Sequence, residues 1–206
     1  MLGKFIVIEG LEGAGKSSVI SAIVDFLRAK GLEVMTTREP GGTPMAEAIR
    51  DCVKHTWDET VTEQTELLLM YASRSQLVTN KILPALSNGT WVVGDRHDLS
   101  TVAYQGGGRG VALSSLSQLK QITLGEFSPD FTVYLDVSPA TGLARARGRG
   151  ELDRIELAGA AFFERVRNMY VSQIKGMPNA CTIDAEQTME KVHADALSAL
   201  DDWLSE

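Results

Sequence analysis

The stretch KFIVIEGLEGAGKSS, residues 4–18, decides the fold. Its apolar part, FIVIE at residues 5–9, is rich in β-branched side chains and is typical of a buried strand. The next part, GLEGAGKS at residues 10–17, matches the pattern GxxxxGK[ST] in full, and a helical segment follows. Such glycines let backbone N–H groups converge on phosphate oxygens at the positive end of a helix. The stretch therefore predicts a loop that holds a nucleoside triphosphate rather than a glycine-rich turn that binds nothing.

The rest of the chain repeats this alternation of strand and helix. Short β-branched or aromatic runs predict further strands at 33–37, 91–95, 132–136 and 180–184. Apolar residues at helical spacing predict helices at 16–29, 44–54, 63–87, 114–125, 139–147, 159–174 and 188–204. We therefore predict an α/β fold of the P-loop NTPase type, a single domain over residues 1–206 in which helices flank both faces of a five-stranded parallel sheet. The stretches SNG (87–89) and GGGRG (106–110) are interpreted as turns or loops.

Composition narrows the classes of function. A net charge of −7 argues against nucleic acid as the main partner, because nucleic-acid binding usually leaves a basic stripe. The 2 cysteines form no CxxC pair and the 3 histidines show no metal-ligand spacing, so a disulfide scaffold or a zinc site is not expected. No apolar run suits a bilayer span or a signal peptide. We expect a cytoplasmic protein without a membrane partner.

The opening loop supplies the candidate triphosphate and metal ligands. Lys16 is expected to reach the β and γ phosphates as a catalytic group, and the Ser17 hydroxyl to bind Mg²⁺. Asp95 ends the predicted strand WVVGD, where a carboxylate can hold Mg²⁺ through water or can cap the next helix. A GTPase switch is disfavoured, because the Asn-Lys pair at NKIL (80–83) lacks the aspartate of an NKxD element. All eight residues of the loop are assigned to the triphosphate: Gly10, Leu11, Glu12, Gly13, Ala14, Gly15, Lys16 and Ser17.

Glu12 is unexpected in a phosphate-binding loop. Its carboxylate repels phosphate, so it either points to solvent or faces the hydroxyl groups of a second substrate while another segment supplies positive charge. One candidate segment is ARARGRGELDR (144–154), which we interpret as part of a mobile basic lid over about 144–156, the alternative being a solvated stretch paired with its own acids. Arg38 and Arg96 at strand ends, with Arg74 from the long helix, could bind a second phosphate or form surface ion pairs.

Five motifs follow one another along the chain: IEGLEGAGKSS, TREPGGTP, LLLMYASR, GDRHDLSTVAYQGGGRG and RARGRGELDRIE. In this order the sequence resembles the bacterial thymidylate kinases over nearly its whole length. The resemblance implies Mg²⁺-dependent transfer of the γ-phosphoryl group of ATP to thymidine 5′-monophosphate, a step of dTTP synthesis, by a homodimer. The rival interpretations are another nucleoside monophosphate kinase and a nucleotide-binding regulator without transfer activity.

The resemblance also implies roles for single residues. Arg38 and the catalytic Arg96 would contact the acceptor phosphate beside Asp95, and Arg149 would be the catalytic arginine of the lid. The family's thymine-stacking phenylalanine is replaced here by Met70 followed by Tyr71, and the sequence leaves open which of the two meets the base. The other implied contacts are Arg74 and Thr101 with the base, Glu12 with the 3′-hydroxyl, Tyr104 and Gln105 with the sugar, and Arg145 or Arg147, Asp184 and Ala185 with adenine.

Overall fold

A five-stranded parallel sheet forms the centre of the molecule. The computed structural model describes residues 2–148 and 153–205, and in them the strands run in the order β2-β3-β1-β4-β5. The bounds are β1 Phe5–Gly10, β2 Val34–Arg38, β3 Trp91–Asp95, β4 Phe131–Asp136 and β5 Ala180–Asp184. Every neighbouring pair is parallel, so all five strands end at the same edge of the sheet. The predicted sheet is confirmed.

Helices connect the strands and cover both faces of the sheet. The α-helices are α1 Lys16–Ala29, α2 Pro44–Lys54, α3 Glu63–Leu77, α4 Leu83–Ser87, α5 Asp98–Thr101, α6 Leu113–Leu124, α7 Pro139–Arg147, α8 Ala160–Ile174 and α9 Met189–Ser205. Capping fixes several starts: the side chains of Thr43, Thr62 and Ser138 each accept a hydrogen bond from a backbone N–H of the first turn. Across the two described ranges, no helix combines the length and the apolar character that a membrane span requires.

The alternation of side chains along β1 explains why both faces are covered. Ile6 and Ile8 belong to one buried cluster, which includes apolar residues of α1, α8 and α9. Phe5 and Val7 belong to a second cluster on the other face, with Leu77 and its neighbours. All six residues of β1 are buried, because a central parallel strand has helices on either side.

Two stretches differ from the sequence-based prediction. The predicted helix 63–87 contains a π-helical turn at Val78–Ile82, which ends two residues before Pro84, a residue whose missing N–H interrupts the regular ladder. The loop interpretation of 106–110 is largely wrong, because a π-helix spans Val102–Gly108. Its glycines let the backbone pack closely on α8: a Cβ atom on Gly107 would lie 2.6 Å from the Met169 Cβ, and one on Gly108 would lie 2.4 Å from the Phe162 ring. Packing against a distant helix, rather than local preference, sets this conformation.

Candidate active site

A polar cavity lies at the edge of the sheet where the strands end. Its lining combines the loop after β1, the ends of β2 and β3, one side of α2 and α3, and the segment just after residue 152. The lining residues that matter here are Glu12, Lys16, Arg38, Glu39, Arg50, Met70, Asp95, Arg96, Tyr104, Gln105 and Asp153. Ligands collect at this edge in open parallel sheets. The structure thus brings most of the predicted substrate residues to one place.

The loop between β1 and α1 has the backbone geometry of a phosphate cradle. Gly13 and Gly15 adopt positive φ angles of 75° and 92°, a region that only glycine occupies without strain. Gly13 also lies so close to Gly142 that an added Cβ would be 2.1 Å from its carbonyl oxygen. The Lys16 Nζ donates to the carbonyl oxygens of Gly10 and Leu11, at 3.2 and 3.0 Å. This lysine therefore folds back over the loop.

The charge on Lys16 is sensitive to its surroundings. Burial and, to a smaller extent, the neighbouring Arg96 lower the pKa of its ammonium group, Asp95 and Glu12 oppose the change, and the net pKa is about 8. A lysine placed in this way gains from an anionic ligand, because added negative charge stabilises its protonated form.

Ser17 and Asp95 line one cavity beside the main one. The Asp95 Oδ1 atom is buried and has no hydrogen-bond partner among the described residues. A buried carboxylate oxygen without a donor is costly unless a cation or water meets it. The capping alternative for Asp95 is wrong, since α5 begins at Asp98 with His97 as its N-cap residue. The hydroxyl oxygen of Ser17 and the carboxylate oxygen of Asp95 are ligand types that fit a hard cation such as Mg²⁺.

Glu12 points into the cavity and takes part in a compact polar cluster. Its Oε1 atom accepts from the Arg96 Nη2 at 2.7 Å and its Oε2 atom accepts from the Tyr104 hydroxyl at 2.6 Å. The same Arg96 nitrogen also donates to the Tyr104 oxygen at 3.1 Å. Burial alone would raise the pKa of Glu12, but Arg96 and Lys16 outweigh that effect and hold it below its usual value. The alternative that Glu12 points to solvent is wrong, and the positive charge beside it comes from the end of β3.

The second predicted arginine at a strand end, Arg38, is held differently. Its guanidinium lies 2.9 Å from Glu47 and is 55% exposed, so this residue forms a surface ion pair while it also lines the cavity. Sequence reasoning missed Arg50, which comes from α2, lines the same cavity and donates to the Pro40 carbonyl oxygen at 2.8 Å. Helical spacing places Arg50 one turn beyond Glu47, which is the signal that could have found it.

The predicted base-binding residues lie at two depths. Met70 lines the cavity, whereas Tyr71 is buried and its hydroxyl donates to Asp98 Oδ1 at 2.9 Å. Arg74 is fully buried and donates to Glu39 Oε2 at 2.6 Å and to Thr101 Oγ1 at 2.9 Å. Its Nη1 atom has no hydrogen-bond partner in the described part of the chain. Arg74 and Thr101 therefore stand behind the cavity wall that Met70 and Glu39 form.

The residues assigned to adenine and the lid are only partly described. Arg145 donates to the Ala185 carbonyl oxygen at 2.9 Å, which brings two of the adenine candidates together. Arg147 and Asp184 are both exposed. Arg149, the expected catalytic arginine, lies outside the described residues, as does the stretch 149–152 of the predicted lid.

Sequence reasoning also missed Glu66, a buried carboxylate on α3 at the rim of this site. It accepts from the Gln105 Nε2 at 2.8 Å and from the Arg109 Nε and Nη2, both at 3.1 Å. The Arg154 Nη2 lies 2.7 Å from the Oε2 atom of Glu66. Glu66 thereby joins α3, the end of the π-helix at Val102–Gly108 and the segment that begins at Asp153. An acidic residue next to the apolar run LLLMY was the available signal.

The structure combines a phosphate cradle on a parallel sheet with the arginine-lined main cavity beside it. This combination defines a phosphotransferase of the P-loop NTPase class. Comparison with known proteins narrows this class. The sequence model of the family described as thymidylate kinase matches residues 8–196. The chain belongs to the thymidylate kinase family.

Full-length relatives agree with this assignment. A protein named thymidylate kinase from Alteromonas mediterranea is 62% identical over 206 residues, which cover 100% of this chain and 93% of the relative. A protein of the same name from Idiomarina loihiensis is 58% identical, and the match covers 99% of this chain and 100% of the relative. Another, from Vibrio parahaemolyticus, is 54% identical, and the match covers 100% of this chain and 99% of the relative.

Proposed function

We propose that this chain transfers the γ-phosphoryl group of ATP to thymidine 5′-monophosphate in the cavity at the end of the sheet, giving thymidine 5′-diphosphate and ADP. Family membership and three relatives named thymidylate kinase support this activity. The observation that carries it on the structure is the cluster of Arg96, Glu12 and Tyr104 directly beside Lys16. As a step of dTTP synthesis, the reaction belongs to the cytoplasmic nucleotide pool.

The reaction forms one P–O bond and breaks another. An oxygen of the acceptor monophosphate attacks the γ-phosphorus, and the bond from that phosphorus to the β–γ bridging oxygen breaks as ADP leaves. The loop after β1 would hold the donor through its backbone N–H groups, and Lys16 would neutralise charge on the β and γ phosphates. The chain's part in catalysis is then mostly positioning and charge stabilisation.

We assign the acceptor phosphate to Arg96 and Arg38, with Arg50 as a third cation at the same cavity wall. Guanidinium groups suit a phosphate because they donate two parallel hydrogen bonds and stay charged. Glu12 would exchange its bond to Arg96 for the 3′-hydroxyl of the acceptor sugar, while Tyr104 and Gln105 border the sugar. Met70 is our candidate for the contact with the thymine ring, with Arg74 and Thr101 behind it.

Mg²⁺ would be held by the Ser17 hydroxyl and, through water, by Asp95, whose buried Oδ1 atom has no other partner among the described residues. When bound, the ion neutralises charge on the β and γ phosphates. From the family resemblance we also propose that the lid supplies a catalytic arginine, and we assign this role to Arg149. We also propose a homodimer, in keeping with the resemblance and with the exposed apolar side chains of Leu68 on α3 and Ile122 on α6. Light scattering on the purified protein would test that assembly.

The direct test is ADP release from Mg-ATP with a panel of nucleoside monophosphates, compared as kcat/KM. Thymidine monophosphate should exceed deoxyuridine monophosphate by about tenfold or more, since one methyl group in a pocket is worth about 1–3 kcal/mol. Ribonucleotides should be poor substrates. A different preferred monophosphate would refute the assignment of the base, and ADP release that is independent of any monophosphate would refute the transfer reaction.

A further inference from the structure

Glu9 is a fully buried carboxylate within the apolar strand β1. Burial raises its pKa, although hydrogen bonds from Ser100 and Tyr170, the charge of Arg96 and the His97 N–H all act in the opposite direction. An acidic residue is expensive at such a position unless its partners are well organised. Glu9 lies immediately behind Arg96, which indicates that its hydrogen-bond partners help to hold the Arg96 side chain.

Each of the hydrogen-bond partners of Glu9 adjoins Arg96. The Glu9 Oε1 atom accepts from the backbone N–H of His97, the next residue, at 2.8 Å. The Oε2 atom accepts from the Ser100 hydroxyl at 2.6 Å and from the Tyr170 hydroxyl at 3.0 Å. Those same two hydroxyl oxygens accept from the Arg96 Nη1, both at 3.2 Å. A continuous chain of hydrogen bonds therefore leads from Glu9 to the guanidinium.

Glu9 sets the direction of this chain. In its ionised form this carboxylate can only accept, so it attracts the hydroxyl protons of Ser100 and Tyr170 and leaves lone pairs on both oxygens for the arginine. The two hydroxyl oxygens also lie 2.7 Å from each other, which ties both into one network. The backbone is restrained too, because Arg96 has a φ of 72°, an unusual value for a residue with a side chain, and the bond from the His97 N–H holds the turn that follows. One end of the guanidinium is thus fixed while Nη2 faces Glu12 and the cavity.

We propose that Glu9 is a positioning residue for phosphoryl transfer, which orients the Arg96 guanidinium toward the acceptor phosphate through Ser100 and Tyr170. The inference rests on the proposed function of Arg96. Glu9 itself is walled off from the cavity lining by Arg96 and Ser100, so it acts on the reaction through them.

The test compares Glu9→Gln with wild type in the ADP-release assay. Glutamine keeps the shape, but its NH₂ group must face either the His97 N–H or the two hydroxyl groups that share one oxygen of Glu9. In the first case two donors oppose each other, and in the second the hydroxyl protons are released from Glu9 and can point toward Arg96. We expect kcat/KM for the monophosphate to fall by about 10- to 100-fold, as for a misplacement of about 1 Å, while the KM for ATP changes less than about threefold. The control is Asp136→Asn, which removes a carboxylate at the end of β4 that accepts from Arg167 and Tyr134 and, among the described residues, shares no hydrogen bond with Arg96, Ser100 or Tyr170. This control should lose stability without that selective loss.

A second variant keeps the test decisive if Glu9→Gln does not fold. Tyr170→Phe removes one hydroxyl group from the series of hydrogen bonds between Glu9 and Arg96 and leaves the buried ring in place. It should lower the same kcat/KM by about 3- to 10-fold. Where both fold, the double variant should lose less than the product of the single effects, because the two groups act in series. A kcat/KM within twofold of wild type in either folded variant, or equal losses in Asp136→Asn, would overturn the proposal. Failure of the proposed function would differ, because wild type itself would then not phosphorylate thymidine monophosphate.

Discussion

Substitution of Glu66 by glutamine should destabilise the protein far more than most single changes on α3. The carboxylate is 2% exposed and meets three side chains from two other parts of the chain, namely Gln105, Arg109 and Arg154. Glutamine keeps the volume and one acceptor oxygen, but it removes the negative charge that both arginines face. The variant therefore leaves two largely buried cations without their counter-ion.

The expected magnitude follows from this geometry. Breaking a buried ion pair by removing one partner costs roughly 3–5 kcal/mol. The side chains of Arg109 and Arg154 are 22% and 16% exposed, so water recovers part of that loss. We expect about 2–4 kcal/mol, which is roughly 4–16 °C in Tm at about 2–4 °C per kcal/mol for a chain of this size.

Thermal unfolding of the wild type, Glu66→Gln and Glu63→Gln would measure this effect. Glu63 is exposed in the first turn of the same helix, so its substitution should cost only about 0.3–1 kcal/mol through the helix dipole. Burial would raise the pKa of Glu66, but the bonds from Arg109 and Gln105 hold it below its usual value. Its contribution is thus present above the unfolded pKa of about 4.3 and is lost as the pH falls through the folded value. Equal Tm shifts for the two variants at pH 7, or a Glu66→Gln deficit that grows in acid, would refute the reasoning.

Three further outcomes follow from the site. Because the pKa of Lys16 is lowered to about 8, kcat/KM for ATP should decline above about pH 8, and a plateau to pH 9.5 would contradict the placement of this ammonium. Tyr104→Phe removes a hydrogen bond to the Glu12 carboxylate and should lower kcat/KM for thymidine monophosphate about tenfold, with the preference for deoxyribose kept because the ring remains; steady-state kinetics with both sugars would check this. Asp95→Asn should raise the Mg²⁺ concentration for half-maximal rate by about tenfold or more in a metal titration, and an unchanged titration would remove Asp95 from the metal site.

The parts of the fold that local chemistry determines could be predicted from the sequence. FIVIE and GLEGAGKS carry their own strand, turn and helix signals, and helix α1 runs over the predicted residues 16–29. The segment 98–108 was not predicted as helical, because its three glycines at 106–108 read locally as a loop. Contact with Met169 and Phe162 on α8 decides its conformation, and no local pattern contains that contact.

Candidate site residues divide in the same way. Arg38, Asp95 and Arg96 stand at strand ends, and the rule for parallel sheets already gathers such residues at one edge. Glu66 and Arg50 stand on helices, where their relation to the cavity depends on which face the helix presents after packing. That face is a property of the assembled layers rather than of the segment, so a local signal could draw attention to these two residues, but only the structure places them at the cavity.

The balance of charge in the cavity explains why a chain with a net charge of −7 can hold two phosphorylated substrates. Lys16, Arg38, Arg50 and Arg96 all line one cavity, so the positive potential is local and the net charge says little about it. Without substrate these cations would repel one another, and the bond from Arg96 to Glu12 offsets part of that repulsion. If the acceptor phosphate binds Arg96, as we propose, it would compete with a carboxylate already in place. Under the proposed assignment Glu12 would then be free to accept from a sugar hydroxyl. The residue that first looked out of place in a phosphate-binding loop would thus make recognition of the phosphate and of the sugar depend on each other.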